Sequence, residues 1–259
     1  AYVELPIIYK KRDSIMDLSV ASFTHYTGLY GANRSLLALI DGSNDRNVSF
    51  QVIAPSEGDI TEALDDRSIP YHIAPSPWWM TKHKSLRADF SRFRQLIRAL
   101  PSTIKKLKEW EIDLVHTNSS VIPVGAIASE IVRCPHIWHI REFGDLDYNL
   151  SLDWPESVSR LLMGRANSRI AVSDAVGAHV CGSRSLSYQV VYNGVFPKCE
   201  LEQLDHSVNG CDPSPFTFAI VGLLHEAKGQ QQALKAVCKA KESGRDVRLL
   251  IAGSGGDEE

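Results

Sequence analysis

The sequence predicts a doubly wound α/β fold: one complete parallel sheet covered by helices on both faces, then the start of a second. Three observations predict it. Short apolar, β-branched runs alternate with helical periodicity from Asp17 to Tyr192, which is the pattern of a parallel sheet with crossover helices. Glycines and polar side chains collect where those runs end. A polar segment of linker composition, Pro197 to Pro215, then breaks the rhythm before a fresh strand begins at Phe216. The expected organisation is an extension over 1–16, a Rossmann-like domain over 17–196, a linker over 197–215, and the first β-α-β part of a second Rossmann-like domain over 216–259.

The elements follow in order. Tyr2 to Tyr9 suits an edge strand, given Pro6, or an added segment. Leu18 to Phe23 is the first strand, with its loop at Thr27 to Ala32. A helix is expected over Asn33 to Ile40, where Leu36, Leu37 and Ile40 fall at helical spacing. Val48 to Ala54 is the second strand, Ile60 to Asp66 a short helix, and Tyr71 to Ala74 the third strand. Leu114 to Asn118 is the fourth, Val121 to Val132 a helix, and His136 to Ile140 the fifth. A helix over Val158 to Gly164 leads to the sixth, Arg169 to Ser173. A helix over Ala175 to Cys181 leads to the seventh, Tyr188 to Tyr192, which runs into the turn-forming pair Asn193-Gly194. Beyond the linker, Phe216 to Val221 is a strand, followed by a loop and a helix.

Composition narrows the function classes. With 28 basic and 31 acidic residues the chain has no global nucleic-acid signature. No apolar run is long enough to span a bilayer, and Ala1 to Asp13 has no continuous apolar core of a signal peptide. The 5 cysteines are odd in number and scattered, with neither metal spacing nor a disulfide framework, which fits a reducing, cytoplasmic compartment. No His/Cys cluster suggests a metal. Asp145-Leu-Asp147 imitates a metal-binding Asp-x-Asp but falls in a loop of a doubly wound pattern, and that reading is rejected.

Parallel sheets bind ligands at the carboxyl ends of their strands. Gly28–Gly31, His116–Ser119, His139–Glu142 and Ser173–Asp174 should therefore line one edge, facing the second domain across a cleft. Gly28-x-x-Gly31 opens a helix after a strand, so its backbone can approach a phosphate, or it is an ordinary strand–helix turn. Arg141 has the planar fork that suits phosphate or carboxylate, and Glu142 suits a hydroxyl; an Arg–Glu ion pair holding a loop is the plainer alternative. His139 shares the strand face of Arg141. His116 is a contact residue or a structural one. Downstream, Gly222 to Gly229 carries Lys228 ahead of a helix N-terminus, which favours an anion. Gly253-Ser-Gly255 ends the next strand.

Five motifs in order carry a resemblance. Gly31-Ala-Asn-Arg-Ser-Leu-Leu37, Ile170-Ala-Val-Ser-Asp174, Val190-Val-Tyr-Asn-Gly-Val195, Ile220 to Gln230 and Leu249 to Gly255 together resemble the GT4 family of retaining glycosyltransferases with the GT-B fold. The resemblance covers about residues 17–259. It implies an acceptor-side N-terminal domain and a nucleotide-sugar-binding C-terminal one. It implies metal-independent sugar transfer to a hydroxyl acceptor in surface polysaccharide or glycolipid assembly, with the nucleotide sugar as substrate and no cofactor. The implied catalytic set is His116, His139, Arg141 and Glu142. The implied donor and phosphate set is Gly31, Ser173, Asn193, Gly222, Lys228 and Gly253. Tyr30 stands where the family usually has a second glycine, and Leu223 where it usually has an arginine, so a point charge remains at Lys228 and a bidentate donor is lost. The family's acidic Glu-x7-Glu motif is expected beyond residue 259.

Two other readings are weighed: a GT-B nucleotide-sugar epimerase, which would want more cleft carboxylates and histidines, and a non-catalytic acceptor- or partner-binding module. Residues 216–259 provide about a third of such a domain and are expected to pack on the first domain, pair with another copy, or belong to a longer chain. One more surface stands out. Lys82 to Lys108 holds nine Lys and Arg and one acid, Asp89. Leu86, Phe90, Phe93, Ile97, Leu100, Ile104 and Leu107 form one apolar helical face within it, expected to pack on the sheet, and Pro101 is expected to kink or split the helix. With Trp78 and Trp79 just ahead, residues 78–108 are expected to dock on an anionic membrane surface at the cytoplasmic side, or to serve a polyanionic acceptor.

Overall fold

The computed structural model describes residues 18–43, 46–194 and 215–253. The chain divides into two compact units, Ala1–Pro197 and Lys198–Glu259. The expected extension over 1–16 and all but the last residue of the expected linker lie outside the described residues.

The first unit is built on strands β1 (Leu18–Phe23), β2 (Val48–Ala54), β3 (Tyr71–Ile73), β5 (Leu114–Thr117), β6 (His136–Ile140), β8 (Ser168–Ala171) and β9 (Gln189–Val190). They form one sheet in the order β3-β2-β1-β5-β6-β8-β9, and every neighbouring pair is parallel. Helices α1 (Gly31–Asp41), α2 (Asp59–Asp65), α3 (Leu86–Glu109), α4 (Val124–Val132), α5 (Asp145–Tyr148), α6 (Glu156–Arg165) and α7 (Asp174–Val180) connect them. A two-stranded antiparallel ribbon, β4 (Met80–Thr81) with β7 (Ser151–Leu152), lies apart from the sheet.

The period of a strand sends successive side chains to opposite faces, and the core obeys it. Val20, Val52 and Leu114 pack with Leu36, Leu37 and Ile40 of α1 and Ile60 and Leu64 of α2. Their sequence neighbours Ala21, Ile53 and Val115 pack with Leu96, Leu100 and Leu107 of α3 and Val124 and Ala128 of α4. The sheet is thus covered on both faces, as the alternating pattern requires. The strand order reverses at β1 and β5, and such a switch point leaves a crevice at the carboxyl ends of those strands.

Three expectations about the basic region need correction. First, Pro101 does not split the helix: α3 runs unbroken over 24 residues with Pro101 inside. Second, the apolar face does not pack on the sheet along its length. Leu96, Leu100 and Leu107 are buried, but Leu86, Phe90, Phe93 and Ile97 are exposed. At a 1.5 Å rise, α3 is about 36 Å long, whereas a six-residue strand covers about 20 Å, so the sheet is too short to cover it. Third, Trp79 does not reach a surface. Trp79 is 2% exposed, donates its indole N–H to the Ser120 carbonyl at 2.8 Å and stacks on Trp138. Trp78 is half-buried and donates to the His25 carbonyl at 3.1 Å. An indole buried with its N–H satisfied has nothing to gain from leaving its site.

The second unit holds the parallel pair β10 (Phe216–Val221) and β11 (Val247–Ala252), joined by α8 (Gln230–Glu242). Phe216, Phe218, Val221, Leu250 and Ile251 are exposed, and α8 buries no residue. A β-α-β unit alone cannot cover both faces of its strands.

Candidate functional site

The carboxyl ends of β1, β5, β6 and β9 bring a connected polar cluster together. Parallel register sets it up: Ser22 lies beside His116 on the neighbouring strand, and Arg141 is the first residue after β6. Ser22 Oγ lies 3.1 Å from His116 Nδ1, and His116 Nε2 lies 3.3 Å from His139 Nδ1. Arg141 Nη2 is 3.3 Å from that same His139 nitrogen. A guanidinium can only donate, so His139 Nδ1 is an acceptor and its proton sits on Nε2. The same logic makes His116 a donor through Nε2 and an acceptor from the Ser22 hydroxyl. His139 Nε2–H is then left buried without a partner among the described residues.

Both imidazoles are neutral. Burial first, then the Arg141 cation, push the pKa of His116 down to about 3 and that of His139 to about 2. His25, in the loop after β1, is lowered to about 3 for the same two causes, and its Nδ1 is also unpartnered among the described residues.

Arg141 is the centre of the cluster. Its Nε donates to Asn118 Oδ1 at 2.7 Å and its Nη1 to Asn193 Oδ1 at 2.9 Å. Ser35 Oγ of α1 donates to the same Asn193 oxygen at 3.1 Å, and Asn118 Nδ2 to the Ala32 carbonyl at 3.1 Å. All of these partners are uncharged, and the ion pairs among the described residues do not include Arg141. Desolvation lowers its pKa to about 10. A guanidinium in that condition is stabilised by any anion that reaches it.

Glu142 does not join it. Its Oε1 accepts from Ser119 Oγ at 2.8 Å, from Ser120 N at 2.7 Å and from Ser120 Oγ at 2.7 Å. The side chain ties down the loop after β5, and the expected Arg–Glu ion pair is not formed. Burial raises its carboxyl pKa against those hydrogen bonds.

The glycine loop is shaped by a fully buried residue. Asn33 donates from Nδ2 to the carbonyls of Tyr26 and Gly28, each at 2.9 Å. A Cβ built on Gly31 meets nothing within 4 Å, so there is open space beside the start of α1. Ser173 caps α7, its hydroxyl accepting from Val176 N, which occupies the group structurally. Asp145 bonds to His179 and Asp147 to the Phe143 amide; among the described residues no group of three or more His, Cys, Asp or Glu is placed to hold a metal ion.

In the second unit, Gly222 ends β10 with φ 154, in the region that favours glycine. Its amide donates to the Ala252 carbonyl at 2.9 Å, and a Cβ on Gly253 would run into the Gly222 carbonyl. Gly253 is thus required by the protein's own backbone, an explanation the sequence pattern alone does not offer. Lys228 is exposed just ahead of α8. The residues missed in the sequence are His25, Ser35 and Asn33. The position of His25 just past a strand end was the available signal; Ser35 and Asn33 act through partners distant in sequence or in the loop.

Comparison with known proteins fits this architecture. The family model for Glycosyltransferase Family 4 matches residues 30–198. Comparison with curated proteins gives no match. Among solved structures, Anabaena Alr3699/HepE in complex with UDP and glucose is similar at TM-score 0.57 and 18% identity, over 91% of this chain and 60% of that one. A glycosyltransferase from Rickettsia africae gives TM-score 0.60 at 13% identity, over 92% and 61% of the two chains. Acinetobacter baumannii MurG gives 0.52 at 14%, over 93% and 69%. The chain therefore spans about 60% of the length of the first of these, and its fold is GT-B-like: a Rossmann-like domain and the first β-α-β part of another. With the family model covering well over half of its residues, the chain belongs to glycosyltransferase family 4.

Proposed function

We propose that this chain is the acceptor-side domain, and the beginning of the donor-side domain, of an enzyme that moves a sugar from a nucleotide sugar to a hydroxyl acceptor in surface polysaccharide or glycolipid assembly. One observation carries the reading: in a family 4 chain, the desolvated guanidinium of Arg141 has only uncharged hydrogen-bond partners at the carboxyl end of the sheet. His116 and His139, neutral and held in one tautomer, orient it and offer a buried N–H. The open space at Gly31 admits a ligand close to the backbone. In the second unit, Lys228 and the amides at the start of α8 stabilise the charge that develops on the leaving diphosphate. The transfer is retaining and needs no metal in this reading, as the resemblance implies. Structural neighbours are described with UDP bound, which makes UDP the first probe.

Calorimetric titration of the chain with UDP tests the donor side. Heat of binding is expected. Lys228→Ala should weaken it about tenfold to a hundredfold, the worth of one charge-assisted contact. Gly31→Val should leave the melting temperature unchanged, because a Cβ there meets nothing, while lowering transfer from the nucleotide sugar in any form of the protein that turns over. Absence of heat would instead favour a module that binds acceptor or partner alone.

A further inference from the structure

The first half of α3 carries two exposed stripes that the sugar-transfer site does not use. Leu86, Phe90, Phe93 and Ile97 recur at four, three and four residues. At 100° per residue they fall within about 60° of one another. Their exposures are 91%, 61%, 44% and 50%. Arg87, Arg94 and Arg98 form a second stripe directly beside the first, and all three are exposed. Arg94 lies against the Phe90 ring, 6.0 Å from its centroid. None of the three is among the ion pairs of the described residues. Lys82 and Lys84, also exposed, extend the charge at the N-terminal end. The remaining arginine of this half, Arg92, points elsewhere: it is held by Asp89 and Asp153, each at 2.6 Å, and belongs to the fold.

We propose that this face of α3 docks on an anionic lipid surface, with Leu86, Phe90, Phe93 and Ile97 entering the headgroup boundary and Arg87, Arg94 and Arg98 reaching lipid phosphates. An apolar stripe flanked on one side by cations is the geometry of a helix lying in the interfacial plane. The long arginine stems cover apolar surface while their heads meet the anions. Charge complementarity selects this occupant: four large apolar groups in a row favour burial, but the row of unpaired arginines beside them favours a partner that is both apolar and negative. No helix among the described residues is long and apolar enough to cross a membrane. Trp79 is not part of it, since it is locked in the core.

Co-sedimentation of the wild-type chain with vesicles of phosphatidylglycerol and phosphatidylcholine tests this without reference to activity. Binding is expected at low salt, lost with pure phosphatidylcholine and weakened by added salt. Replacing Arg87, Arg94 and Arg98 by Glu should lower the partition coefficient by about a hundredfold or more, from three lost contributions. Phe90→Ser with Ile97→Ser should lower it while keeping the arginines. All five positions are exposed, so the melting temperatures of the variants should stay at the wild-type value. A chain that stays in the supernatant with anionic vesicles at low salt overturns the proposal. So does equal binding to neutral vesicles, or variants that bind like wild type. A wild-type dimer in light scattering that Phe90→Ser and Ile97→Ser convert to monomer assigns the face to a second copy and overturns it as well.

Discussion

Trp138→Ala lowers the unfolding free energy by about 3–5 kcal/mol, the cost of emptying a large aromatic site in a core that relaxes only in part. Trp138 is fully buried on β6. Its ring stacks on Trp79 with centroids 5.5 Å apart, and Ile140, Met163, Val176 and Val180 belong to the same cluster. Its indole N–H donates to the Ser119 carbonyl at 2.9 Å, so the substitution also leaves a buried acceptor without its donor. Trp79 in turn holds the Ser120 carbonyl, and Asp153 N donates to the Trp79 carbonyl at 2.7 Å. The pair therefore joins the loop after β5 to the ribbon β4–β7. Urea unfolding of the variant measures the loss, with Leu161→Ala as control; Leu161 is 57% exposed and should cost at most about 0.5 kcal/mol. A loss below about 1 kcal/mol for Trp138→Ala would show that the site is not packed as described.

That pair also shows where the sequence stopped being informative. Fully buried parallel strands read as apolar runs, and β1, β2 and β6 have the bounds the pattern predicts. Helices whose apolar spacing matches a covered face, such as α1, were equally legible. What failed depends on distant partners. Adjacent tryptophans beside a basic run read as a membrane anchor; only the stacking of Trp79 on Trp138, from a strand far along the chain, turns them inward. The ribbon β4–β7 has two residues per strand and no periodicity to detect. In the site, polar residues at strand ends were visible because parallel topology dictates their placement. The partners of Glu142 were not legible, because its three donors come from Ser119 and Ser120, on a different strand's loop. The Gly222 carbonyl against Gly253 gives that glycine a structural reason that its sequence neighbours do not show.

Acidification from about pH 7 to pH 5 destabilises the first unit by roughly 6 kcal/mol, a large share of the 5–15 kcal/mol typical of a folded domain. The effect comes from His116, His136 and His139, which are 5%, 3% and 8% exposed. Their pKa values are lowered from 6.5 to about 3, about 3 and about 2. Burial is the first cause for each, with Arg169 acting on His136 and Arg141 on the other two. The folded values lie below the unfolded one, so the unfolded chain binds more protons as pH falls. Stability is then complete above about pH 6.5 and is lost progressively toward the folded values. Each histidine contributes about 2 kcal/mol of that loss over this interval. His25, lowered to about 3 by burial and then by Arg141, acts in the same direction. Glu142 acts in the opposite sense: burial raises its pKa, so the folded state holds the extra proton as pH falls. Unfolding free energies measured in urea at several pH values should therefore give a slope of two to three protons between about pH 6 and 5. His136→Gln should reduce that slope by about one proton without touching Arg141, whose partners lie elsewhere in the cluster. Stability that stays flat from pH 7 to 5 would mean that the three imidazoles are not buried in neutral form.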